Sequence, residues 1–355
     1  MNDLFKELIR CAVSDGVPFS SAPGAAEWAA LLKDAAKQSV VGVTFPVVDR
    51  IPIESGLPLG VYSRWALMDE KIRRNYTLTV SRAQELCGML EQAGFRHCIL
   101  KGIGTAGYYP DPSRRQSGDI DIWIEGDRKD IVSFLRSRWT VKDVVYHHCE
   151  ADIFPDVKVE VHFTPSWMNN PFANRKLQKY YRSSIEEQSR NLDEGLGVSV
   201  PTIEFSAVHC IVHIYRHILH EGVGLRQFMD MYFILENLSE SGRSEVRETL
   251  EKLGLRRCTE AVMYVLQDLF GLEEERLLYK PDEKNGQFIL NEVSLSGNFG
   301  KFDRRNKTVY GKSLLRRAAI RMSRLARFAG FAPLEVFFAP GFKAWQFIWK
   351  KQFDD

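Results

Sequence analysis

Apolar positions recur at helical spacing through the first part of the chain. Leu4, Leu8, Ile9 and Val13 share one face, and Ala25 to Lys37 makes a second candidate helix. Pro46, Pro52 and Pro58 predict a turn-rich connection before a long helix from about Ser63 to Gln92. That helix has Leu67, Ile72, Leu78, Leu86 and Leu90 as its apolar positions and Gly94 as its stop. Past Gly94 the period shortens to two. Arg96 to Leu100 reads as a short strand, Gly102 to Tyr109 as a turn into a brief helix, and Asp119 to Ile124 as an alternating strand with a helix after it, from about Arg128 to Ser137. Thr140 to Tyr146 and Val157 to Phe163 complete a small sheet. After a polar segment from Ser189 to Pro201, helical spacing returns from about Ile203 through Phe270; Lys280 to Lys307 reads as a polar connection and Ser313 to Phe353 as a basic, aromatic tail. The predicted fold class is α+β. A small mixed-sheet core over 63–200 is flanked by an N-terminal helical region, 1–62, and a C-terminal helical domain with its tail, 201–355.

Composition changes this picture little. The 355 residues are 45% apolar and 26% charged, ordinary globular values. A net charge of +2 says little about partners, because basic and acidic residues nearly cancel and their distribution matters more. The six cysteines (Cys11, Cys87, Cys98, Cys149, Cys210, Cys258) are scattered without a C-x-x-C pair, which predicts reduced thiols and a cytoplasmic location. The N-terminus carries Asp3, Lys6, Glu7 and Arg10 among its apolar residues, unlike a signal peptide. With no apolar run of about 18 residues, no transmembrane segment is expected.

The chemistry concentrates in Ser117-Gly118-Asp119-Ile120-Asp121-Ile122-Trp123-Ile124. In a strand, Asp119 and Asp121 point to one face and the isoleucines to the other. Two carboxylates so placed repel unless a cation lies between them, and Mg²⁺ bridges such oxygens to phosphates. The pattern alone is equally that of a solvated edge strand. Val157-Lys158-Val159-Glu160-Val161-His162-Phe163 also alternates, and places Glu160 as a third carboxylate if this strand lies beside the first. Upstream, Lys101-Gly102 ends a strand and opens a short helix whose N–H groups can face an anion. Lys101, Arg114 and Arg115 are candidates for neutralising a triphosphate.

Taken in order, Leu100-Lys101-Gly102, Tyr108-Tyr109-Pro110-Asp111-Pro112, Arg114, Gly118-Asp119-Ile120-Asp121 and Val159-Glu160-Val161-His162 resemble the DNA-polymerase-β-like nucleotidyltransferase superfamily. More narrowly, the pattern is similar to the bacterial family described as uncharacterised nucleotidyltransferases. The resemblance implies Asp119, Asp121 and Glu160 as catalytic metal ligands for Mg²⁺, two ions being expected. It also implies Gly102 in the nucleotide-binding turn, with Lys101, Arg114, Arg115, Ser117 and Gly118 around it. The implied substrate is a nucleoside triphosphate, and the acceptor is left open among a small molecule, a protein hydroxyl and RNA. Where the superfamily turn has Gly-Ser or Gly-Gly, this chain has Gly102-Ile103. A looser likeness extends to Val200-Pro201 and Gly297-Asn298-Phe299-Gly300.

Two other constellations stand out. His209, His213, His217 and His220 recur on one helical face, with Arg216, Arg226 and Asp230 nearby. They lack the glutamate of a protease H-E-x-x-H motif, and fit a hydrogen-bonded structural face first, a substrate or nucleotide contact second and a metal site last. In the tail, Arg317, Arg321 and Arg324 form a stripe, followed by Phe331, Phe337, Phe338, Phe342, Trp345, Phe347 and Trp349. That pattern fits a helix docked on the body, weak contact with an anionic membrane surface, or nucleic-acid binding. Beside the catalytic reading stand two rivals: an inactive nucleotide- or partner-binding relative, and a peripheral membrane or polysaccharide-assembly accessory protein.

Overall fold

The alternation at Asp119–Ile124 is realised as an interior strand of a five-stranded mixed sheet. The computed structural model describes residues 1–14, 19, 22–52, 56–303, 305 and 314–353, the side chains of 314–318 excepted. Helices α1 (Asp3–Val13), α2 (Ala25–Gln38), α3 (Val41–Asp49) and α4 (Leu59–Gln92) precede strand β1 (His97–Ile99). Then come α5 (Ile103–Ala106), β2 (Asp119–Ile124), α6 (Arg128–Arg136), β3 (Val141–Lys142), β4 (His148–Ala151) and β5 (Lys158–His162). Helix α7 (Pro171–Arg190) and a hairpin of β6 (Leu192–Asp193) and β7 (Val198–Ser199) lead into α8 (Ile203–His220), α9 (Leu225–Asn237), α10 (Glu240–Leu253) and α11 (Arg256–Val265). The chain ends with α12 (Glu283–Ser296), α13 (Leu314–Ala326) and α14 (Pro333–Lys350).

The sheet order is β1-β2-β5-β4-β3, with β2 and β5 parallel and the other pairs antiparallel. Its two faces differ as the alternation requires. Ile120, Ile122, Ile124, Val159 and Val161 share a buried core with Leu86 and Leu90 of α4 and Ile131 and Leu135 of α6. The other face carries Asp119, Asp121, Lys158, Glu160 and His162, and is covered at its far end by Trp123, whose ring lies 6.0 Å from that of Tyr181 on α7 and 5.8 Å from that of Phe205 on α8. A second core joins N-terminal residues such as Phe5, Leu8, Val48 and Trp65 to Ile211, Phe228, Leu250 and Val262 of the later helices. All six cysteines are free and buried.

Several elements depart from the sequence reading. Pro46, expected in a turn, lies inside α3, where Val41, Phe45, Val47 and Val48 are buried and packing outweighs the proline penalty. The strand expected over Thr140–Tyr146 is only Val141–Lys142; the chain turns at Asp143, with φ 46°, and the neighbouring strand is β4. The helical stretch from Ile203 is divided into α8–α11, with breaks near Gly222, Leu238 and Gly254. Within the supposed polar connection lies α12, which buries Ile289 and Val293. Its Gly286 is a contact point rather than a turn, since a methyl group there would sit 2.4 Å from Tyr264 Cβ. Lys307, Ser313 and the side chain of Arg317 lie outside the described residues. No helix among the described residues is long and apolar enough to cross a membrane.

Candidate active site

Parallel pairing of β2 with β5 puts Asp121 directly beside Glu160, and Asp119 lies two residues back on the same face. Oxygens of Asp119, Asp121 and Glu160 all lie within 4.8 Å of one another. Lys101 follows β1, and its Nζ is 3.1 Å from Asp121 Oδ1; His162 Nε2 is 2.8 Å from the same oxygen. Burial drives the Asp121 carboxyl up, but the Lys101 ammonium and the His162 hydrogen bond outweigh it and hold the group well below the ordinary range. Asp119 and Glu160 are both raised, first by burial and then by the charge of Asp121. The three acids therefore repel one another in a partly dry setting, a balance that a divalent cation relieves. Lys158 Nζ, 2.6 Å from Glu150 and 3.3 Å from Glu160, offsets part of that charge at the rim.

Asp119 and Asp121 line a cleft between the sheet and helices α8 and α9, and Glu160 lies beside them outside its lining. Lys101, Gly102, Ser117, Gly118, Asp119 and Asp121 line one wall; His209, His213, Arg226, Gln227 and Phe299 line the other. Gly102 caps the single turn of α5 at φ 69°, ψ −112°, a conformation that favours glycine. The glycine turn thus lies against the D-x-D strand, as the sequence order implied.

The two arginines do not behave as expected. Arg114 is absent from the cleft lining; its Nε is 3.3 Å from Asp69 Oδ1, and its guanidinium sits 5.9 Å from the Phe45 ring centre. Arg115 lines the cleft with its donors already engaged. Its Nε and Nη2 reach the two Asp230 oxygens at 2.8 and 2.7 Å, and its Nη1 reaches Ser117 Oγ at 3.0 Å. Tyr109 donates to the same Asp230 at 2.6 Å, so the pair fixes the loop before β2 onto α9. The cleft guanidinium with capacity left is Arg226. It donates to the Gln116 carbonyl at 2.6 Å, while its Nε has no partner among the described residues. The sequence set it beside Asp230 and the α8 histidines rather than among the anion ligands, because it lies a hundred residues downstream of the acids in a helix.

His162 was placed on the correct face by alternation, but its bond to Asp121 was not foreseen. His148, which pairs across the sheet with His162, was missed altogether; His148, Glu160 and His162 form a second group with ligand atoms within 4.8 Å. The α8 histidines belong to no such group among the described residues. Burial pushes His209 down to about 3 and His217 to about 4, so both are neutral. Arg216 donates to His217 Nε2 at 3.0 Å, which leaves the proton on Nδ1, 2.7 Å from Glu221. His209 and His213 face the cleft, while His220 lies against Asn169 and the Trp167 ring.

In the tail, α14 is partly docked: Phe342, Trp345 and Trp349 ring Tyr146, and Arg324 of α13 donates to the Ile218 carbonyl at 3.1 Å.

Among solved structures, an antigenic nucleotidyltransferase-like protein from Paracoccidioides brasiliensis is similar at 15% identity, over 55% of this chain and 93% of that one, with a TM-score of 0.34. No curated protein matches the chain. Residues 24–271, which contain the three carboxylates, the glycine turn and helices α8 and α9, match the family model described as uncharacterised nucleotidyltransferase. The chain belongs to that family.

Proposed function

We propose that the protein transfers a nucleoside monophosphate from a nucleoside triphosphate to an acceptor, with Mg²⁺ held by Asp119, Asp121 and Glu160, as in the polymerase-β-like superfamily. The observation that carries this reading is the convergence of those three carboxylates within 4.8 Å of one another, with Asp119 and Asp121 lining a cleft. The donor set fits a hard cation: oxygens only, two of the acids with raised affinity for protons, and the Lys101 ammonium against the third. Two such ions would polarise the α-phosphate and lower the pKa of the attacking hydroxyl.

The chain's own side chains supply the rest. Lys101 and Arg226 flank the acids and offset triphosphate charge, the part first assigned to Arg114 and Arg115. Glu160, its carboxyl raised by burial, is the acceptor for the hydroxyl proton. The acceptor oxygen forms its bond to the α-phosphorus as the bond to pyrophosphate breaks, and the proton passes to Glu160. His162 holds Asp121 in position through its 2.8 Å contact.

The test is incubation with α-labelled nucleoside triphosphates, Mg²⁺ and a lysate or metabolite library. Label transfer is expected from the wild type and lost in Asp121→Asn. Transfer that persists in the variant refutes the site; Mg²⁺-dependent triphosphate binding without any transfer favours the inactive relative.

A second reading concerns where the protein works, and a specific observation favours it. Of the exposed positions on α14, Lys343 alone is charged; the others include Leu334, Phe337, Phe347 and Ile348. A helix apolar on its outer side normally has a cover. Arg175 and Arg182 line the adjoining groove with Phe338, Phe342 and Trp345, so a second copy would bring like charges together. An anionic lipid surface satisfies both features. Sedimentation with anionic vesicles that survives Phe337→Asp together with Ile348→Asp counts against it.

A further inference from the structure

On the wall of the cleft opposite the acids, the transfer reading gives a role to Arg226 alone. On the same wall, the turn at 297–300 holds Phe299 at φ 53°, ψ 27°, a left-handed conformation that phenylalanine rarely adopts. Packing keeps it there. A methyl group on Gly300 would lie 2.0 Å from the Glu221 carbonyl oxygen, and one on Gly222 would lie 2.7 Å from the Gly300 nitrogen. The two backbones touch because neither residue has a side chain. Asn298 ties the turn on both sides: its Nδ2 donates to Ser39 Oγ at 2.9 Å, and its Oδ1 accepts from Gln227 Nε2 at 3.4 Å.

The result is an aromatic ring kept out of the core. Phe299 retains 38% of its surface and shares the cleft lining with Asp119, Asp121, Arg226 and Gln227. The His217 ring meets it edge-on at 5.3 Å, and the Arg226 guanidinium lies 5.8 Å from its centre. Two buried polar atoms of the same wall, Gln227 Oε1 and Arg226 Nε, have no partner among the described residues. Such atoms are costly to leave unpaired. A part-exposed aromatic ring beside an unpaired amide oxygen and an unpaired guanidinium N–H has the chemistry of a site for a flat, polar ring.

We propose that Phe299 and Gln227 form the base subsite of this cleft. The base stacks on the Phe299 ring, and its exocyclic amino group donates to Gln227 Oε1. Adenine, cytosine and guanine carry that group and uracil does not, so the subsite selects against uracil. The inference rests on the reading of the cleft as a triphosphate site and adds a base preference to it. The turn lies beyond residues 24–271 matched by the family model.

Equilibrium binding of ATP, CTP, UTP and inorganic tripolyphosphate to the full chain with Mg²⁺ tests it. Wild type should bind CTP severalfold more tightly than UTP. Phe299→Ala should weaken ATP about tenfold or more and leave tripolyphosphate unchanged. Phe299→Leu, which keeps bulk without a π-face, should behave like alanine, and Phe299→Trp should retain binding. Gln227→Leu should erase the difference between CTP and UTP. Equal losses of ATP and tripolyphosphate in Phe299→Ala would mean that the ring only shapes the turn, and would overturn the proposal; so would unchanged ATP binding, or equal affinity of wild type for CTP and UTP. Failure of the underlying reading looks different: wild type would bind neither ATP nor tripolyphosphate.

Discussion

Two groups of ionisable side chains meet at the cleft, through Asp119 and Asp121 on one wall and His209 and His213 on the other, and they are built on opposite principles. On the sheet, spacing by two drives Asp119, Asp121 and Glu160 together with their charges unresolved. On α8, spacing by three and four lines up His209, His213, His217 and His220, and burial keeps them neutral. One cluster stores repulsion that a ligand can relieve; the other has already settled its charge by giving up protons. The difference shows why a row of metal-capable residues is weak evidence for a metal. What matters is whether convergence leaves the charges in conflict.

The largest expected effect follows from that conflict. Asp121→Asn or Glu160→Gln should lower label transfer by several kcal/mol in barrier, on the order of 10³-fold or more. His220→Gln on α8 should leave transfer within a few-fold. Comparable losses from both clusters would erase the contrast between them.

Next is the clamp that sets one wall of the cleft. Asp230→Ala strands Arg115, which is 4% exposed, and should cost about 3–5 kcal/mol in denaturant unfolding. A loss under about 1 kcal/mol would return Arg115 to the pool of free anion ligands.

The α8 histidines and the two raised acids, Asp119 and Glu160, should also respond oppositely to pH. The α8 histidines have folded pKa values depressed below the ordinary 6.5, with His209 at about 3 and His217 at about 4. In that window the unfolded chain binds more protons, so stability is present above 6.5 and lost as pH falls toward 3–4. The slope reaches about 1.4 kcal/mol per pH unit for each histidine. Asp119 and Glu160 are raised from 3.8 and 4.5, so their contribution is full below those values and lost as pH rises through the folded values. Thermal melting across pH should show the acid-side loss, reduced in His209→Gln.

The smallest effect is the ligand's own. Mg²⁺ at a hundred times its dissociation constant should add about 2.7 kcal/mol near neutral pH, and nothing in Asp121→Asn. Stabilisation that survives in that variant would place the ion elsewhere.

How much of this was legible depended on the range of the signal. Alternation over Asp119–Ile124 and Lys158–His162 is local, and it was enough to orient every carboxylate. The α12 helix was hidden because Gly286 reads as a loop residue until Tyr264 is known to lie against it. Helix α7 was not anticipated: its buried positions include Gln178, Ser184 and Gln188, so its apolar stripe is thin. Arg114 and Arg115 looked interchangeable as neighbours, and only the tertiary partners Asp69 and Asp230 separate them. Phe299 and Arg226 reach the cleft from distant turns and helices, a convergence no window of sequence displays.

The parallel register of β2 and β5 has a consequence for assembly. A slip of one residue would turn Glu160 into the apolar layer and bring a valine into its place. The third acid therefore cannot arrive gradually, because it comes into line only when the whole crossover from α6 through β4 has closed. Chemistry and sheet formation should then be lost in one step, so that turnover measures the fraction of molecules with an intact sheet.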